Sequence, residues 1–146
     1  MILKRIVSDG LFWAAFFAAL FVIYGFHLFI ETTPFEISSL GLAHLLTLIL
    51  ISPFLEEAAF RGWLQGLILK GGWSQKTIVK ITIANILTSA LFSLLHIFGH
   101  SITWAFAVFF PSLVFGFFRD RYGSIQASVV LHVWYNFAYF VILPAM

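Results

Sequence analysis

The sequence predicts an all-α membrane protein, a polytopic bundle of about five transmembrane helices. Three observations carry that prediction. Hydrophobic residues make up 62% of the 146-residue chain and charged residues only 10%, too few polar groups to cover a soluble domain of this size. The apolar residues fall into five runs, roughly 11–30, 40–69, 78–98, 102–118 and 124–144. Each is long enough, or nearly so, to cross a hydrocarbon core of about 30 Å as a helix. The basic residues also alternate between linkers: Lys4 and Arg5 precede the first run, Lys70, Lys76 and Lys80 follow the second, and Arg119 and Arg121 follow the fourth. That bias predicts a cytoplasmic N-terminus and an external C-terminus.

The first run has a basic lead-in without a small-residue cleavage site, which reads as an uncleaved anchor. Glu31–Ser39 is the one long polar loop. It divides a single domain, 1–146, into an anchor and loop (1–39) and a four-helix core (40–146). In the second run Pro53 has no amide proton for the carbonyl of Ile49, so a kink or a restart capped by Ser52 is expected there. Gly71-Gly72 and Tyr122-Gly123 mark turns, and Gly99-His100-Ser101 is a short external loop. The absence of cysteine excludes disulfides, a thiol nucleophile and a Cys-ligated metal. The basic excess follows from membrane topology and calls for no nucleic acid.

Glu56, Glu57 and Arg61 are the only Asp, Glu, Lys or Arg residues in the second run. Charges at membrane depth cost several kcal/mol each, so they pair, face a protein interior and mark function. Glu57 and Arg61 are spaced i, i+4, the favourable order for an ion pair on one helical face. Glu56 lies about 100° around the helix and needs another partner. Two carboxylates against one guanidinium require either a protonated Glu or a cationic His from another helix. A restart at Pro53 would set both glutamates near a helix N-terminus, where the dipole favours their charge. A structural ion-pair network is the alternative reading.

Two further runs carry polar stripes at helical spacing: Asn85, Ser89, Ser93, His96 and His100 on the third, and Ser128, His132, Asn136 and Tyr139 on the fifth. Such faces turn towards the centre of a bundle. Three polar faces then converge on one wet cavity, where His132 and Asn136 can donate to a common point. The competing reading makes the Ser and Asn residues interhelical glue. His27 and His44, near span ends, read as interfacial. His96 and His100 have the spacing of a metal pair, but Gly99 is expected to end the helix between them.

Together these residues resemble the CAAX protease and bacteriocin-processing family, also called Abi or type II CAAX prenyl endopeptidase-like. Its Glu-Glu-x-x-x-Arg motif is similar to Glu56-Glu57-Ala58-Ala59-Phe60-Arg61, followed by Gly62-Trp63-Leu64-Gln65. Phe-x-x-x-His matches Phe92-Ser93-Leu94-Leu95-His96, and His-x-x-x-Asn matches His132-Val133-Trp134-Tyr135-Asn136. Tyr122-Gly123-Ser124-Ile125 also fits the lead-in to the family's last helix. The three motifs stand in order on separate runs, and the likeness covers roughly residues 50–140. Many members have additional helices. This chain has one before the core and looks like the compact prokaryotic branch, which implies the plasma (inner) membrane.

The resemblance implies a hydrolase, a glutamate-dependent intramembrane endopeptidase. Glu56 and His96 would activate water, His132 and Asn136 would stabilise the oxyanion, and Glu57, Arg61 and Phe92 would support the site. No cofactor or metal is implied. The substrate would be a membrane-associated protein or peptide, its C-terminal segment included, met within the lipid bilayer. Two alternatives stay open: a zinc metalloprotease built on Glu56, His96 and His132, which lacks His-Glu-x-x-His, and a non-catalytic scaffold or immunity protein with the same bundle. No Gly-x-Ser-x-Gly elbow supports a serine hydrolase, and Asp9 and Asp120 are too peripheral for an aspartyl dyad. Counting 1.5 Å per residue from the presumed cytoplasmic ends puts Glu56 roughly 20 Å deep, His96 roughly 22 Å and His132 roughly 12 Å. A tilt or a break at Pro53 is needed to level them.

Overall fold

The longest apolar run folds as one uninterrupted helix, α3, from Leu42 to Ile68. A computed structural model describes residues 2–29 and 41–142, with side chains at 2–25 and 41–142. The loop Glu31–Ser39 and the side chain of His27 lie outside the described residues. Before α3 come α1 (Ile2–Val7) and α2 (Gly10–Phe29). After it come α4 (Ile83–His96), α5 (Ile102–Tyr122) and α6 (Gln126–Phe137), which continues as a π-helical turn over Ala138–Ile142. The all-α expectation holds, apart from one small hairpin. Two described helices, α3 and α5, are long and apolar enough to cross a membrane.

Of the two expected outcomes at Pro53, a kink or a restart, the restart does not occur. Thr47–Ile51 widens into a π-helical turn instead, and the α-helix resumes at Ser52. Ser52 has α-helical φ and ψ and caps nothing; its amide donates to the carbonyl of Thr47, five residues back. Widening the turn relieves the clash between the proline ring and the preceding carbonyls without breaking the helix. Glu56 and Glu57 are therefore mid-helix, and no helix dipole acts on them.

The third run also starts later than its hydropathy suggests. Thr77–Ile78 (β1) pairs antiparallel with Ile81–Thr82 (β2), Thr77 opposite Thr82 and Ile78 opposite Ile81. Five of the six residues 77–82 are β-branched, which favours extended backbone over helix. Val79 and Lys80 turn the hairpin with φ of 49° and 67°, the two positive values of a type I′ turn. Helix α4 begins where the Thr82 hydroxyl accepts the amide of Asn85 at 3.0 Å, an N-cap. Its 14 residues span about 21 Å. The fourth run extends one turn past its predicted end, to Tyr122. Gly123 closes it with φ +64° and donates its amide to Arg119, the left-handed C-terminal stop that glycine favours.

The chain forms two compact units, residues 1–55 with 129–146, and residues 56–128. In the first, α2 and α6 are joined through main-chain carbonyls. Trp134 Nε1 donates to Phe16 O at 2.7 Å, and Tyr135 OH to Ala15 O at 2.9 Å. The Phe16 and Trp134 rings stack with centroids 4.3 Å apart.

In the second unit many polar side chains share the interior with apolar ones such as Phe92, Phe115 and Phe118. Glu57, Arg61, Gln65, Asn85, Thr88, Ser89, Ser112 and Ser128 have no exposed surface, whereas Phe98 and Ile102 are 90% and 74% exposed. Apolar side chains outside and hydrogen-bonding groups inside is the arrangement expected where the surrounding solvent is lipid.

Candidate active site

Arg61 is the centre of the second unit's interior. Its Nη1 donates to Glu57 Oε1 at 2.9 Å, both side chains fully buried, as the i, i+4 spacing predicts. Its Nη2 donates to the carbonyl and hydroxyl of Ser112 on α5, at 3.0 and 2.5 Å. The guanidinium lies over the rings of Phe92 and Phe115, at 4.8 and 5.6 Å from their centroids. Ion pairing, hydrogen bonding and cation–π contact together offset the cost of removing the charge from water.

Phe92 connects this charge to His96. One face of the Phe92 ring meets Arg61, Phe60 packs edge-on at 5.0 Å, and the His96 ring tilts against it at 4.5 Å. His96 Nδ1 lies 2.8 Å from the carbonyl of Phe92. A carbonyl only accepts, so Nδ1 carries a proton, and Nε2 is the ring nitrogen left to face other groups. The Phe-x-x-x-His spacing thus sets both the tautomer and the orientation of the histidine. His100 stacks on His96 at 6.0 Å and tilts against Trp104 at 5.7 Å. Burial, and then the neighbouring His96, hold His100 below the ordinary histidine value.

Glu56 is half-buried one residue from the ion pair, and its charge also reaches Arg61. Consecutive helices α3 and α4 run antiparallel, in contact at Phe60 and Phe92. Glu56 is four residues before Phe60 and His96 four after Phe92, so both stand about one turn to the same side of that contact. This register levels the two residues without a break at Pro53.

Most of the α4 stripe is glue. Asn85 Nδ2 donates to Leu113 O at 2.9 Å, Ser89 Oγ to Asn85 Oδ1 at 3.0 Å, and Ser93 Oγ to the carbonyl of Ala105. Only the His96 end of the stripe has donors or acceptors to offer elsewhere. On α6, Ser128 Oγ donates to Phe115 O at 2.7 Å.

Sequence reasoning missed the role of α5, whose middle has a single polar side chain. Its carbonyls at 112, 113, 115 and 116 each accept a side-chain donor, from Arg61, Asn85, Ser128 and Gln65 respectively. Gly116 is where Asn85 comes closest: a Cβ there would overlap the Asn85 amide. Gln65 Nε2 also donates to Asp120 Oδ1 at 2.9 Å, Thr82 Oγ1 to Asp120 Oδ2 at 2.6 Å, and Arg119 Nη1 to Asp120 Oδ1 at 3.1 Å. The mixture of Gln and Asp at the run ends was the available signal.

A second π-helical turn, Ala58–Leu64, surrounds Arg61. The amide of Gln65 bonds back to Phe60 O, five residues away, so the carbonyl of Arg61 loses its α-helical donor. Arg119 Nε takes that carbonyl at 3.0 Å. In the other unit the amide of Ser52 is likewise diverted to Thr47 O, which leaves Leu48 O to Asn136 Nδ2 at 2.9 Å. Asn136 keeps its second N–H. His132, one turn earlier, is buried, 6% exposed. Glu57, Arg61, Phe92 and His96 are thus joined by direct contacts in residues 56–128, Glu56 stands beside them, and His132 with Asn136 belongs to the unit 1–55 with 129–146. Among the described residues no three His, Asp or Glu side chains form a group able to hold a metal ion.

Residues 37–138 match a protein family described as "Type II CAAX prenyl endopeptidase Rce1-like". The match covers more than half of the chain and all three motifs, and the chain belongs to this family. It is accordingly a membrane protein of a protease family. Neither a curated protein nor a solved structure matches the chain.

Proposed function

We propose that the protein is a glutamate-dependent intramembrane endopeptidase that cleaves a peptide bond in a membrane-associated protein or peptide. The observation that carries this reading is the fixed His96 ring. Its Nδ1–H is committed to Phe92 O, and sequence spacing sets His96 and Glu56 each about one turn from the Phe60–Phe92 contact. The Glu56 carboxylate takes one proton from water, the remaining O–H of that water donates to His96 Nε2, and the hydroxide oxygen bonds to the scissile carbonyl carbon. The negative charge passes to the carbonyl oxygen, which His132 and the second N–H of Asn136 stabilise. Collapse breaks the C–N bond, and Glu56 returns its proton to the leaving amine. Glu57 neutralises Arg61 through their buried ion pair.

The protein takes the membrane as five helices, N-terminus in the cytoplasm and C-terminus outside, in a prokaryotic plasma membrane. The basic linkers support that topology. The domain reading is one catalytic core, residues 40–146, behind an N-terminal anchor.

Purified Glu56→Gln and His96→Ala variants should be as thermally stable as the parent and fail to cut a peptide library that the parent cuts. A donor loss at Asn136 should cost about 10²–10³ in rate. Full activity in both Glu56→Gln and His96→Ala would sink the mechanism. Activity removed by a chelator and restored by zinc would transfer the site to a metalloprotease.

A further inference from the structure

We infer that the β1–β2 hairpin and its flanks form a docking surface for the anionic headgroups of the bilayer. The hairpin lies between α3, an apolar helix long enough to span, and α4, so it emerges at the lipid–water boundary. Its tip is apolar and uncovered, with Val79 89% and Ile78 60% exposed, and Trp73 beside it is 57% exposed. Around that tip Lys70, Lys76 and Lys80 are all exposed, and none is in an ion pair among the described residues.

The charge is uncompensated over a long stretch. Residues 58–119 contain no Asp or Glu. The nearest acid in the unit, Asp120, is committed to Gln65, Thr82 and Arg119. A basic collar around apolar side chains and a tryptophan suits a surface that is anionic at headgroup level and apolar a few ångströms deeper.

The turn itself points the same way. A two-residue type I′ loop favours Asn-Gly or Gly-Gly, yet here Val79 and Lys80 hold positive φ, unfavourable for a β-branched residue. The base of the hairpin over-determines the conformation: Ile83 N donates to Lys76 O at 3.0 Å, and Thr82 is tied to Asp120. Glycine would relax the backbone but remove the apolar tip. Valine in that place costs folding energy and presents a side chain to the bilayer.

The native chain has no cysteine, so Val79→Cys gives a single labelling site. A spin label at position 79 should be shielded from an aqueous nickel quencher and accessible to oxygen in phosphatidylglycerol nanodiscs. In phosphatidylcholine nanodiscs it should move towards water. Each Lys→Gln change at 70, 76 or 80 should weaken phosphatidylglycerol retention in native mass spectrometry about fivefold. Equal water exposure of the label in both lipids, or retention unaltered by the triple lysine variant, would overturn the inference. Neither readout depends on proteolysis.

Discussion

The two π-helical turns of α3 make an instructive pair. Thr47–Ile51 lies among apolar residues and precedes Pro53; Ala58–Leu64 contains Arg61 and precedes no proline. In each turn an amide reaches back five residues, a carbonyl loses its α-helical donor, and a distant side chain replaces it. The replacement is the neutral amide of Asn136 in the first and the guanidinium of Arg119 in the second. The first turn has a local cause, since a proline cannot donate and its ring crowds the carbonyls behind it. The second is held from outside, by the bonds of Arg61 to Ser112, its contact with Phe92 and the reach of Arg119.

That difference can be tested. The largest effect should come from Arg61→Met, which breaks the buried ion pair with Glu57. About 3–5 kcal/mol of stability should be lost, read as thermal unfolding in detergent. If the second turn is held from outside, amide exchange over 58–65 should also rise in this variant, while exchange over 47–52 stays as in the parent. A change confined to 47–52 would break the comparison.

A smaller effect is expected at Asn136. Asn136→Ala leaves the Leu48 carbonyl without a donor, at a cost of about 1–3 kcal/mol. Pro53→Ala restores an amide proton locally, so the double variant should recover stability, with a coupling of about 1 kcal/mol in a double-mutant cycle. Simple additivity would show that Pro53 is not the cause. The smallest effect should be Arg119→Lys. An ammonium keeps the charge but not the planar fork that joins Arg61 O to Asp120, and about 1 kcal/mol should be lost. No nearby proline exists whose replacement would restore it.

The same contrast explains what the sequence disclosed. Glu57 with Arg61 was legible because helical spacing alone brings them together. Phe92 with His96 was legible as spacing and as a family motif, though the shared ring contact with Arg61 was not. A disturbance at Pro53 was foreseeable, but its form was not: hydrogen-bond register can shift by one residue where the sequence offers only a missing donor. The turn around Arg61 has no local signature. The hairpin at 77–82 was concealed by hydropathy, which scores isoleucine and valine alike in helix and strand, although their β-branching was on view. The polar stripe on α4 was legible, but which of its two readings applied was not, because an asparagine that serves a carbonyl and one that serves a substrate look the same in sequence.

The carbonyl row of α5 places the fragility of this protein on one side of each contact. The acceptors at 112, 113, 115 and 116 belong to the main chain and are supplied by any residue at those positions. The donors, Arg61, Asn85, Ser128 and Gln65, are particular side chains with no substitute. Over time α5 can therefore vary in composition wherever size permits, with Gly116 the exception, while the three helices that read it are held to their residues. An apolar helix with an unremarkable sequence thereby sets the constraint on its neighbours.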